Sequence, residues 1–428
     1  MNKLVKSIGK KAESLKTTGF FHIFGSSVIN KIIAFLSNII IVRIISKAQF
    51  GEYSYALNIV SFVLLFSGFG LVTGTFQLCS EKKNINEKQT IFNYASMTGM
   101  KINVLLSFII ILIALFWDMP LTGAHNLLLL MSFYPIITIA FEFQQIYLRS
   151  NFRNKDYSYA SLINTILVMG ASIIGSMISG ANGLIIARYL AYILTLFIII
   201  KMFKVTFSLK NTSILIEDKK TLFHISTIGM LSNGLGELLY LIDVFILGLI
   251  TTEEMVASYK VATVIPSACA FIPLAIITYV YPYFASHRDD KQWCLQKYRM
   301  MIKYVAVLNL SISLFLVFFS KTIITVIYGR EYLDSLPCFV ILSVSYFFSG
   351  TFRILSGNLL ATQRKFTFNL IVNILCGVIN LMGNIILIPK FESVGAAITT
   401  FTVVIVSSII STSYYIYILK KDKTKRGA

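Results

Sequence analysis

Four basic residues stand where a hydrophobic sequence has few reasons to carry them. Lys31 lies in the apolar segment "GSSVINKIIAFLSNIIIV", about twelve residues into the first span, and Arg43 follows the segment's last residue. Lys260 lies near the start of another apolar segment, and Arg353 well inside a third. A charge inside a membrane-spanning helix is costly and faces water, a partner or a polar ligand. At 1.5 Å per residue Lys31 sits about 18 Å along its helix, near the midplane of a ~30 Å hydrocarbon core. Ser27, Lys31, Ala34 and Asn38 share one helical face, which reads as a cavity-lining stripe. Arg43 lies off that face at the outer end, where snorkelling to headgroups competes with a binding role. Arg353 shares its face with Tyr346, Gly350 and Gly357, whose glycines leave room beside it. Lys260 and Arg188, close to the ends of their segments, also suit ordinary interfacial cations.

Acids recur at the same kind of spacing. Thr138, Glu142, Gln145 and Arg149 stand at i, i+4, i+7 and i+11 of one helix. Asn233, Gly236, Glu237, Tyr240 and Asp243 fall within a stripe of about 120° on another. Arginine and lysine in a wet cavity give charge-assisted hydrogen bonds to an anion. Glu142, Glu237 and Asp243 then have two possible tasks: to pair with those cations, or to bind a proton or metal cation that powers a cycle. The similar numbers of deep acids and bases favour pairing. Five scattered cysteines with no CxxC indicate neither a metal centre nor a disulfide framework. His22, His224 and His287 lie at the edges of segments on one side and His125 on the other, which is no catalytic cluster. No Walker, GxSxG or HExxH sequence occurs.

Those residues need long apolar elements to hold them, and composition supplies these. The chain has 428 residues, 56% hydrophobic and 13% charged, with a mean hydropathy of +0.76. Soluble domains carry about 25% charge, so lipid is the solvent for most of this surface. About twelve apolar segments centre near residues 32, 66, 108, 135, 168, 193, 236, 270, 310, 348, 377 and 405. The fourth and eighth are the least clean, and the eighth holds Pro266 and Pro273 on one face, which reads as a kink. Alternate connections divide the loop and tail cations twenty-seven to four. One set runs from Lys3 in the N-terminal tail to Arg426 in the C-terminal one; the other holds Lys47, Lys321, Arg330 and Lys390. The rich set is cytoplasmic, so both ends are inside and the span number is even. The net charge of +19 is thereby an orientation signal and not a nucleic-acid footprint. The first segment follows a polar tail and lacks a small-residue cleavage site, unlike a signal peptide.

The longest cytoplasmic connection splits the spans six and six. The expected organisation is a basic tail (1–19), a six-helix bundle (20–203), a linker (204–220), a second six-helix bundle (221–419) and a basic tail (420–428). The halves echo each other. "FHIF" at Phe21 opens the first span and "FHIS" at Phe223 the seventh; "KDYSYASLIN" ends at Asn164 and "RKFTFNLIVN" at Asn373. "YSYA" from Tyr53 matches "SYKVA" from Ser258, and Gly183 and Gly395 each open the last span of a half. Their common order indicates duplication in one orientation. The fold class is all-α integral membrane, two six-helix repeats enclosing a central cavity that opens alternately to the two sides.

With the stretch "RIISKAQFGEYSYA" from Arg43 to Ala56 and the "LFSGFGLVTGT" that follows, the chain resembles the polysaccharide transport family. That family includes the Wzx-type O-antigen flippases, in a superfamily shared with lipid II flippases and multidrug and toxin extruders. The resemblance implies a flippase carrying undecaprenyl-pyrophosphate-linked oligosaccharide from the inner to the outer leaflet of the bacterial cytoplasmic membrane. Lys31, Arg43, Lys260 and Arg353 would then handle the pyrophosphate. No cofactor is expected, and a proton or sodium gradient is the candidate drive. The expected partners are the lipid-linked glycan, membrane lipids, and a glycan polymerase with other assembly proteins. One alternative is a multidrug extruder, which would need an acid-dominated cavity. Another is a membrane-embedded glycan polymerase or acyltransferase, for which no outer loop is large enough.

Overall fold

In hydrocarbon every backbone N–H and C=O must be paired within the chain, and apolar runs of this length do so as helices. A computed structural model describes residues 20–82, 84–205 and 214–421. The basic tails 1–19 and 422–428, Lys83 and the middle of the 204–220 linker lie outside the described residues, as do the side chains of Asn233 and Tyr240. The described residues contain no strand.

Among the described residues, twelve spans follow from the geometry. Eight are Phe20–Ile44, the bent pairs Lys47–Leu64 with Ser67–Glu81 and Thr122–Leu130 with Tyr134–Ser150, Ile85–Phe116, Ile216–Ile250, Glu253–Ser286, Lys291–Phe318 and Arg330–Thr362. The other four come from two stretches of unbroken helical pairing, Asn154–Phe203 and Phe366–Lys421. A straight helix of 50 residues would measure about 75 Å, far more than a bilayer core. Each is a hairpin. The backbone leaves the helical region at Gly180 (φ 57°, ψ −137°) in one and at Glu392 (φ 50°, ψ −129°) in the other. Across the turns, a Cβ on Gly175 would collide with the carbonyl of Gly183, and one on Gly395 with that of Leu387. Residues eight apart in a straight helix lie about 12 Å apart.

Side-chain caps mark several of the entries. Ser46 accepts from Gln49 N–H at 3.3 Å, Asn84 from Asn86 N–H at 2.9 Å and Asp290 from Trp293 N–H at 2.9 Å. The outer connection from Lys321 to Leu336 is itself folded, as a helix Ser320–Ile327 and a tight turn Arg330–Ser335.

The spans form two compact units. One takes the residues up to Gln49 and Ala56–Gly234; the other takes Phe50–Tyr55 and Leu235–Ala428. The packing boundary thus falls inside the seventh span, between Gly234 and Leu235, while the 204–220 linker marks the division in chain connectivity. Packing explains the offset. In the first unit, Gly70 and Gly74 let the second span approach Ser226 so closely that a Cβ would not fit. Lys82 also bridges Asp218 at 3.0 Å and Glu87 at 3.4 Å. The hydrogen bond it donates to the Asp218 carboxylate holds the Lys82 ammonium above its ordinary range. In the second unit, Gly51 lies against the Glu253 carbonyl, and Tyr55 stacks on Phe245 at 6.5 Å and covers Gly248. The stretch around Gly51 is therefore the contact surface that docks onto residues 245–253.

Each unit uses a fully buried asparagine of its third span to hold an irregular stretch. Asn103 accepts from Gly68 N–H at 2.6 Å and donates to the Pro135 carbonyl at 2.7 Å, tying the break in the second span to the start of the fourth helix bend. Asn309 accepts from Tyr346 Oη at 2.8 Å and donates to Thr351 Oγ1 at 3.2 Å. Thr351 belongs to a π-helical turn, Ser349–Arg353, that interrupts the tenth span. Such turns free backbone groups and recur at functional positions. The kink expected in the eighth span is a break at Ala270, between Glu253–Cys269 and Phe271–Ser286, with Pro266 and Pro273 on either side.

Candidate functional site

Asp243 is the most completely organised charged group among the described residues. It lies in the seventh span at 5% exposure. Its Oδ1 accepts from Asn380 Nδ2 at 2.8 Å and Asn384 Nδ2 at 2.7 Å. Its Oδ2 accepts from Tyr259 Oη at 2.7 Å and Thr400 Oγ1 at 2.5 Å. These partners come from the eighth, eleventh and twelfth spans, so one carboxylate joins four helices of the second unit. The spacing of Asn380 and Asn384 puts both amides on one helical face, and Gly383 beside them lets Thr399 of the twelfth span approach. Neither oxygen of Asp243 forms an ion pair with a described residue. Lys260, the residue after Tyr259, is half-buried and lies within electrostatic reach.

The chemistry of this set is that of an exchangeable cage. Four uncharged donors lower the cost of a buried carboxylate without cancelling its charge. Hydroxyls and amides also present oxygens: an Asn turned over offers Oδ1 in place of Nδ2, and the two orientations are alike in shape. Asn384 Oδ1 is buried without a partner. The five side chains can thus supply an all-oxygen environment, the preference of hard cations. No cluster of three or more His, Cys, Asp or Glu exists among the described residues, so a thiolate- or imidazole-based centre has no ligands here.

The structure places the other expected residues as follows. Lys31 is exposed, as are Ser27 and Ala34 of its stripe, while Asn38 is half-buried. Its neighbour Asn30 ties the first span to the fifth through Ser161 Oγ at 2.7 Å. Arg43 is exposed in the last turn of the first span, where a cation also suits the helix dipole. Arg353 is half-buried at the end of the π-helical turn, within electrostatic reach of Cys376. Glu142 and Glu237 are exposed and bond to no described residue. Arg149, on the Glu142 face, lies between the rings of Phe76 and Tyr157 at 4.4 and 5.2 Å. Arg188 donates through Nε to Ser172 Oγ at 3.2 Å across the first hairpin. The structure therefore unites Asp243 and Lys260; Arg353 belongs to the same unit but not to that cage, and Lys31, Arg43 and Glu142 belong to the other unit. Sequence reasoning did not single out Tyr259, Asn380, Asn384 and Thr400. The usable signal was two amides one turn apart in an otherwise apolar span.

Twelve spans in two repeats, with a caged charge buried in the second, define an all-helical, multi-pass membrane fold. The chain belongs to the family described as polysaccharide biosynthesis protein, whose model matches residues 40–337. It is 24% identical over 219 residues to a probable low-salt glycan biosynthesis flippase, Agl15, of Haloferax volcanii. That match takes in 49% of this chain and 44% of that protein, so the chain aligns with less than half the length of this curated relative. Among solved structures it resembles the lipid II flippase MurJ in an inward closed conformation (TM-score 0.71, 15% identity, 93% of this chain and 87% of that one). It resembles equally an inward-facing multidrug resistance MATE family transporter of the MOP superfamily (TM-score 0.71, 14% identity, 92% and 96%). At these identities the likeness is one of fold.

Proposed function

We propose that this chain is a flippase. It moves an undecaprenyl-pyrophosphate-linked oligosaccharide, the repeat unit of O-antigen or another surface polysaccharide, from the cytoplasmic to the outer leaflet of a bacterial cytoplasmic membrane by alternating access. A proton or sodium ion bound at Asp243 is the coupled ion. Lys31 and Arg43 in the first unit, and Lys260 and Arg353 in the second, handle the pyrophosphate. A glycan polymerase and other assembly proteins take the product onward.

The observation that carries this reading is the Asp243 cage. A carboxylate on one span held by three others through uncharged partners changes the bonding of all four when a cation arrives or leaves. Family membership supports the glycan-lipid substrate over other anions. The second reading, a multidrug extruder, draws on the MATE likeness. It is disfavoured because intramembrane cations at least match the acids, and an organic cation wants the reverse.

Vesicles holding the purified protein test both. Translocation of a lipid-linked oligosaccharide, lost in Lys31→Ala and Arg353→Ala at matched protein levels, is the expected result. Export of ethidium by a protein that leaves the glycan lipid unmoved would overturn the proposal in favour of the extruder.

A further inference from the structure

Seven of the 38 Lys and Arg residues fall outside the loop and tail sets counted above: Lys31, Arg43, Lys101, Arg188, Lys260, Lys303 and Arg353. Lys101 and Lys303 have no place in the site above, yet they share a position. They belong to the third and ninth spans, which correspond in the two repeats. Each stands fifteen residues before its helix's outer end, at Phe116 and Phe318. Both therefore lie about 22 Å below that end. Both are exposed. Val104, Leu105 and Phe108 continue the exposed face beyond Lys101, and Tyr304, Val307 and Leu308 continue it beyond Lys303. A face that stays apolar and open over several turns is one that lies against acyl chains.

The ninth span carries a second cation on this face. Arg299 is exposed one turn before Lys303. Neither residue makes a hydrogen bond, ion pair or ring contact with a described residue. Arg299 lies about 28 Å below the outer end, at the inner boundary of a ~30 Å core, and Lys303 one turn inside it. The Lys303 stem is long enough to bring its ammonium back to that boundary. Like charges at i and i+4 repel. An anion held between them removes the repulsion and pairs both in a place where water is scarce.

We propose that Arg299 and Lys303 bind the phosphate of an anionic phospholipid in the cytoplasmic leaflet, with an acyl chain lying along Tyr304 and Val307. Lys101 is the weaker counterpart in the first repeat, with one cation instead of two. The site is independent of the transport reading: it sits on the outer face of the second unit and uses none of the proposed pyrophosphate residues.

The test uses the full chain in nanodiscs of phosphatidylcholine with increasing phosphatidylglycerol, read by native mass spectrometry of retained lipid and by thermal unfolding. Wild type should retain phosphatidylglycerol and gain thermal stability as its fraction rises. The Arg299→Gln/Lys303→Gln variant should lose at least about fivefold in apparent affinity, each cation near the surface contributing roughly that factor. Lys101→Gln should lose less, the swap Arg299→Lys/Lys303→Arg should retain binding, and Lys390→Gln on the outer side should change nothing. Retention of phosphatidylglycerol by the double variant at the wild-type level would overturn the proposal. So would a wild type that ignores phosphatidylglycerol and is stabilised by undecaprenyl phosphate alone, which would assign the cations to the polyprenyl substrate.

Discussion

The hairpin of the fifth and sixth spans and the hairpin of the eleventh and twelfth turn at Gly180 and Glu392, 212 residues apart, with nearly the same backbone angles. The close backbone approaches repeat at the same offset, Gly175 to Gly183 and Leu387 to Gly395. In that register Ser172 corresponds to Asn384 and Arg188 to Thr400. In the first hairpin, Arg188 donates to Ser172. In the second, the residues at the same two places both donate to Asp243. The duplication kept the scaffold and reversed the charge it holds. A guanidinium cannot lose its proton in a protein, so the first hairpin holds a permanent cation. The second holds a carboxylate that can take up and release one. The proposed ion coupling at Asp243 rests on this difference.

The comparison can be broken at several points. The largest effect should come from Gly175→Val and Gly395→Val. Each adds a side chain where a Cβ already meets the opposite backbone, and each should cost about 3 kcal/mol or more and lower the thermal midpoint in detergent. Tolerance of one and not the other would mean that the hairpins are not equivalent. Next, Asp243→Ala strands four donors, three of them buried, at about 1–3 kcal/mol for a buried group left unsatisfied. Arg188→Ala should cost less, because Ser172 is a hydroxyl that can turn to its own helix carbonyls. Equal losses would remove the asymmetry. Glu392 holds a left-handed φ of 50° that glycine adopts freely, as Gly180 does at 57°. Glu392→Gly should therefore stabilise by about 1 kcal/mol, measured as a rise in the thermal midpoint.

The smallest effect lies outside the bilayer. Asp218 raises the Lys82 pKa above the ordinary 10.5. The contribution is therefore whole below the ordinary value and is lost as pH rises through the elevated one. Stability should be insensitive to Lys82→Met on the alkaline side of that range, with a slight loss below it; an effect confined to acidic pH would contradict the pairing.

Much of the fold was legible because lipid leaves few choices. Apolar length fixes helices, and the Lys and Arg bias supplies the expectation for their direction. The fourth and eighth spans read as the least clean, and they bend or break at 130–134 and at Ala270, but the second and seventh bend as well, without being singled out by their composition. The site was legible only in part. Asp243 stood out because a carboxylate is conspicuous in an apolar span. Tyr259, Asn380, Asn384 and Thr400 did not, because an amide or hydroxyl in a membrane helix often bonds its own backbone. Thr399, one residue from Thr400, does so to Gly395 at 3.0 Å. Which hydroxyl turns inward depends on where the hairpin turns, and Glu392 gives no sequence sign of a turn. The pairing favoured by equal numbers of acids and bases was a count of charges, and a count cannot see uncharged donors.

The central claim is that a cation at Asp243 drives translocation. Asp243→Asn keeps the shape and one acceptor oxygen, removes the charge, and turns the other oxygen into an amide donor, which the Tyr259 and Thr400 hydroxyls can meet by rotating their O–H groups. Reconstituted in vesicles with an imposed proton or sodium gradient, this variant should unfold near the wild-type temperature and translocate lipid-linked oligosaccharide at a rate indifferent to the gradient. Wild type should accelerate when the gradient is applied. A folded Asp243→Asn protein that accelerates as wild type does would show that the coupled ion, if there is one, binds elsewhere.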